Sequence, residues 1–132
     1  MKRILITVLS IIIIGTSYYN ITHKSLTTIN QVHTENLDLL IKQSEYDLIS
    51  LRKAIDSKDL NQIKSITDSF LLKAYEIDKD DVDNQAQLTQ LLIVIKNYEL
   101  IYKFAKEGDE ENIESAYQSL ENSVNELINM VK

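Results

Sequence analysis

Leu37, Ile41, Ser44, Leu48, Leu51 and Ile55 follow one another at alternating steps of four and three residues, which keeps them on one side of a helix. This spacing predicts an amphipathic helix with a single buried stripe. Three more seams of the same period come after it: Leu60, Ile63, Thr67, Phe70, Ala74 and Ile77; then Leu88, Leu91, Ile95, Tyr98, Tyr102 and Ala105; then Ile113, Tyr117, Leu120, Val124, Leu127 and Val131. Breaks interrupt the seams at regular intervals, so antiparallel neighbours in a bundle explain them better than one extended coiled coil. The expected fold is all-α, with residues 22–132 forming an antiparallel bundle of about four helices arranged as two αα-hairpins. In the third helix the run "LLIVI" at 91–95 covers more than one stripe, which suits packing against two helices of the same bundle, with a second face for another protein as the alternative.

The breaks carry their own chemistry. In "DSKD" (56–59), Asp59 is placed to cap the second helix, with Gln62 three positions on, as in a capping box. In "KEGD" (106–109), Gly108 ends the third helix and Asp109 caps the fourth. "DKDDVDN" (78–84) separates the second and third helices, and its carboxylates suit the first turn of a helix. Sliding the chain by 50 positions lays "LRKAIDSKDLNQIKSITDSF" over "IYKFAKEGDEENIESAYQSL", with Asp59 on Asp109, Ile63 on Ile113 and Phe70 on Leu120. Either one hairpin has been duplicated, or two hairpins have converged on the same turn.

The opening "MKRILITVLSIIIIGTSYYN" is of another kind. Lys2 and Arg3 precede the uncharged run Ile4–Ile14, the pattern of an export signal. Gly15 and Ser17 offer small residues for cleavage before Tyr18, which would release a secreted chain. The uncharged stretch nevertheless continues through Tyr18, Tyr19 and Ile21 to the ~18 residues that can cross hydrocarbon, with two aromatic residues at the outer interface. No polar or Pro/Gly-rich spacer separates it from the amphipathic segment. Residues 1–21 are therefore read as a retained anchor, with cleavage near Ser17 as the alternative. The basic start places the remainder outside the membrane in a single-pass arrangement.

Composition narrows the chemistry. The 132 residues contain no Cys, Pro or Trp, so disulfides, thiolate nucleophiles and Cys-based zinc sites are excluded. Net charge is −6 with Lys2 and Arg3 included, so the part beyond the leader is more acidic still. Such a surface repels nucleic acid, and no nucleic-acid partner is expected.

His23 and His33 stand ten residues apart, too far for two ligands on one helix face, and are read as solvated residues. Asp78, Asp80, Asp81 and Asp83 could supply oxygen ligands, but the EF-hand turn glycine is missing and Thr89 stands where the bidentate Glu belongs. Capping and solvation explain them better, so no metal, cofactor or catalytic residue is assigned. The acidic run from Glu107 to Glu126 is read as a solvated helix face, with a docking face for a basic partner as the alternative. Tyr98, Tyr102 and Tyr117 sit on seams, where their hydroxyls are expected to reach water. Neither histidine has a nucleophile motif beside it, and two isolated glycines build no phosphate loop, so the chain is not expected to be an enzyme.

The layout resembles a family of small single-anchor envelope proteins of unknown function from Gram-positive bacteria. The resemblance rests on a basic start, an Ile-rich anchor and paired acidic helices, with "AIDSKDLNQI" and "FAKEGDEENI" as the turns. It implies a membrane helix through residues 4–21 and a protein partner in the cell envelope, and no activity. A protein-interaction or scaffolding module is the expected role. A small-ligand sensor or carrier, or a toxin-immunity-type protein, are the alternatives.

Overall fold

The computed structural model describes residues 27–77, 82 and 84–132. They form α1 (Thr27–Asp56), α2 (Leu60–Glu76), α3 (Gln85–Glu107) and α4 (Glu110–Val131), and no strand is present among the described residues. The residue 1–21 leader, both histidine side chains and Asp78, Asp80, Asp81 and Asp83 lie outside the described part. Among the described residues, no helix is long and apolar enough to cross a membrane.

Extensive contacts join α1 to α2, α2 to α3, α3 to α4 and α4 back to α1, so the helices close a ring around one core. All four seams point into it. Leu51, Tyr98, Ile101 and Leu120 have no measurable exposure, and Leu37, Phe70, Val94, Ile95 and Val124 have almost none. The apolar run of α3 divides as its two neighbours demand: Leu91, Val94 and Ile95 are buried, whereas Ile93 stays 44% exposed. Contact with two neighbours is not special to α3, because every helix in the ring has two.

The two hairpin turns are the same object built twice. At the end of α1, the Asp59 amide donates to Ala54 O (2.9 Å) and the Lys58 amide to Ile55 O (3.1 Å), the crossed pair of a Schellman cap. Fifty residues on, the Asp109 amide donates to Phe104 O (3.0 Å) and the Gly108 amide to Ala105 O (3.2 Å). Asp59 then accepts from the Gln62 amide at 3.1 Å, and Asp109 from the Asn112 amide at 3.2 Å. The caps fall where the sequence places them.

The left-handed position in this motif is held by Gly108 (φ +71) in the second turn but by Lys58 (φ +54) in the first. A side chain there crowds its own backbone. Gly108→Ala should therefore cost about 1 kcal/mol even though no neighbour lies within 4 Å of the added Cβ. Lys58→Gly should raise the melting temperature, and thermal unfolding of the two variants beside the parent chain checks the opposite signs.

The start of α3 departs from expectation. The cap is Asn84, whose side chain accepts from the Gln87 amide at 2.9 Å, and no acidic residue stands in the first turn. An asparagine oxygen satisfies the orphan amide without a charge.

Candidate functional site

Two features stand apart from ordinary core packing. The first is a buried polar cluster that links three helices. Tyr98 Oη on α3 donates to Asp47 Oδ2 on α1 at 2.9 Å, and Gln43 Nε2 donates to Asp47 Oδ1 at 2.8 Å. Lys73 Nζ on α2 donates to Gln43 Oε1 at 3.0 Å. Phe70 of α2 stacks on the Tyr98 ring, with centroids 3.8 Å apart and planes within 6°.

Asp47 is 5% exposed, and burial holds its carboxyl above the ordinary aspartate range despite the Gln43 and Tyr98 hydrogen bonds and the nearby Lys73 charge. Burial, reinforced by the Asp47 charge, pushes the Tyr98 hydroxyl far above its ordinary range. This corrects the reading of the tyrosines. Tyr98 does not reach water, and Tyr117 donates to Leu48 O at 2.8 Å. Tyr98 finds its acceptor on α1, across the core, and Tyr117 finds one on the adjacent antiparallel α1, each at the depth where the hydroxyl lies.

Two further side chains tie α3 to α4 in the same manner. Gln90 Nε2 donates to Ser123 O at 2.8 Å, and Asn97 Nδ2 donates to Ser123 Oγ at 3.2 Å. Asn97 stands fifty residues beyond Asp47, so the second hairpin carries an amide where the first carries an acid.

The second feature is a cleft of about 470 Å³ at the end of the bundle where both hairpin turns lie. Its apolar floor is Ile55, Leu60, Ile63, Ala105 and Ile113, and its rim is Arg52, Asp56, Lys58, Glu110 and Glu114, with Gly108 between them. Leu60, expected on the buried seam of α2, is instead 38% exposed here because the helix starts at it and no neighbour extends past the turn.

Arg52 fastens α1 to α4. Nη2 lies 2.6 Å from Asp56 Oδ1, Nη1 lies 2.8 Å from Glu114 Oε2, and the guanidinium sits 4.9 Å above the Tyr117 ring. The Asp56 and Glu114 hydrogen bonds hold its pKa above the ordinary arginine value. Lys58 pairs with Glu110, raising the pKa of the amine and lowering that of the carboxyl. Glu110 and Glu114 of the acidic run are thus engaged in ion pairs between the hairpins and not merely solvated.

At the other end of the bundle a groove of about 530 Å³ runs between α1 and α2, lined by Asn36, Leu39, Leu40, Gln43, Lys73, Glu76 and Ile77. The face of α1 turned away from the core carries Leu39, Tyr46 and Ile49, which are 57%, 72% and 60% exposed. Their spacing of seven and three puts them on one stripe, with Lys42 between them and Lys53 just beyond. Sequence reasoning missed this stripe because the stronger inner seam of the same helix dominated the pattern.

Among the described residues no group of His, Asp or Glu is placed to hold a metal ion. No protein-family model matches the chain, and neither a curated protein nor a solved structure matches it.

Proposed function

We propose that the chain is a single-pass protein held in the cell membrane through residues 4–21, and that its acidic helical bundle stands outside as a protein-interaction or scaffolding module in the envelope. The exposed stripe of Leu39, Tyr46 and Ile49 carries the interaction half of this reading, because a helix that already buries one seam has no packing use for a second. The leader supports the location. α1 is 30 residues long, ~45 Å, and its N-terminus lies at the opposite end of the bundle from the turns. An anchored leader would therefore hold the cleft at the end away from the membrane, with the stripe along the middle of α1. The layout shared with small single-anchor envelope proteins supports the same location.

The test is to fractionate cells expressing a C-terminally tagged chain, weigh the mature N-terminus by mass spectrometry and place a photo-crosslinking residue at position 46. The expected result is an intact Met1 in the membrane fraction and a discrete crosslinked protein that disappears in Leu39→Glu. A chain beginning near Tyr18 in the medium would sink the anchor, and no crosslink from position 46 would sink the interaction face. A second reading, a small-ligand sensor or carrier, is favoured by one observation only, the cleft between the turns.

A further inference from the structure

We propose that the cleft between the two hairpin turns binds a small organic cation with an apolar body, whose charged group is received by Glu110 and Glu114. This goes beyond the anchored-module reading and stands on the cleft alone, so cleavage of the leader would leave it unchanged.

The volume of about 470 Å³ falls within the ~300–1,000 Å³ of ordinary ligand pockets. Ile55 of α1, Leu60 and Ile63 of α2 and Ile113 of α4 give it an apolar floor contributed by both hairpins. The rim selects the sign of the ligand. Arg52 directs Nε and Nη2 at Asp56, Nη1 at Glu114 and its face at Tyr117, so each of its nitrogens already donates to a carboxylate. Glu110 accepts through Oε1 and Glu114 through Oε2, each from a single cation. Among the described residues the other oxygen of each carboxylate has no partner, and a carboxylate has capacity for several hydrogen bonds.

Three carboxylates face two cations around the opening, and in the chain beside it Glu107, Asp109 and Glu111 outnumber Lys106. An anion entering this field is repelled, whereas a cation is drawn in. The pairs to be disturbed are weak ones: the Lys58 and Glu110 side chains are 75% and 71% exposed, and Glu114 is 51% exposed. Exposed pairs of this kind contribute little, so a ligand ammonium can displace or share them at small cost. It then gains the apolar floor, which the exposed pairs do not use.

The experiment uses the full chain in phosphatidylcholine nanodiscs, labelled at isoleucine δ-methyls. Three probes share one ring and differ in charge: cyclohexylmethylamine, cyclohexanecarboxylate and cyclohexylmethanol. The amine is expected to shift the Ile55, Ile63 and Ile113 methyls while leaving Ile41 and Ile95 in place. Its affinity should fall at least about tenfold in Glu110→Gln/Glu114→Gln, and should weaken with added salt. Both substituted side chains are exposed, and an unchanged melting temperature confirms that the variant is folded.

Equal binding of the carboxylate, shifts that spread to Ile41 and Ile95, or silence of the cleft methyls to ~10 mM amine would each overturn the proposal. A cleft that ignores the amine but responds to N-acetyl-leucyl-lysine amide is a peptide-docking surface, and that result also overturns it.

Discussion

Phe70→Ala is expected to destabilise the bundle by about 3–5 kcal/mol, a large share of the ~5–15 kcal/mol that holds an ordinary domain together. Phe70 is 1% exposed and its ring lies flat on Tyr98, so truncation removes buried area and also takes away the surface that holds the Tyr98 ring in place. Relaxation cannot readily fill the gap, because Ile63 and Thr67 on the same helix face are themselves fixed in the core. Urea unfolding followed by circular dichroism checks it. A loss below ~1 kcal/mol would mean that the stack is peripheral to stability.

The second large effect lies beneath that stack. Tyr98→Phe removes the donor that faces Asp47 and leaves a buried carboxylate with Gln43 alone, at an expected loss of about 1–3 kcal/mol at neutral pH. Asp47→Asn keeps an acceptor for Tyr98 Oη and removes the buried charge, so it should be stabilising at pH 7.

The pH dependence has a definite sign. Burial raises the folded pKa of Asp47 above its ordinary 3.8, so the folded state binds the proton more tightly than the unfolded chain does. The Asp47 contribution to stability is therefore fully present below that value and is lost as pH rises through the folded pKa. Gln43 and Lys73 face the same carboxylate and moderate the loss. The advantage of Asp47→Asn should shrink toward zero as pH falls to about 4. Parallel unfolding of parent and variant at pH 4 and pH 7 checks this, and an advantage independent of pH would show that the fold leaves the Asp47 carboxyl unshifted from its unfolded value.

The seams were legible in the sequence because burial in a four-helix ring imposes one stripe per helix. Thr67 and Ser44, polar by type, are buried as their seam positions require. The turns were legible too, since Asp59, Gly108 and Asp109 combine types that suit little else at that spacing. Asp47 was not. An acidic residue beside a seam looks solvated, and it takes α3, lying across the core from α1, to bring it the Tyr98 hydroxyl. A signal did exist: the 50-residue offset places Asp47 on Asn97, which pairs an acid with an amide at one position of the repeat. The cleft was illegible for another reason. It needs both turns side by side, and periodicity says nothing about what lies between two helix ends.

The repeat has a further consequence where Asp47 and Leu48 of the first hairpin answer to Asn97 and Tyr98 of the second. Two hairpins of the same plan, on chains confined to one compartment, can mispair first half with first half across two copies. In the correct ring, α3 brings Tyr98 to Asp47. In the wrong one, the residue at the matching place of a second first hairpin is Leu48, fifty positions earlier, which offers the carboxylate no hydroxyl. Mispairing would strand a buried acid against a leucine, so this buried contact, beside the Arg52–Glu114 and Lys58–Glu110 pairs at the surface, favours pairing of each half with its proper mate.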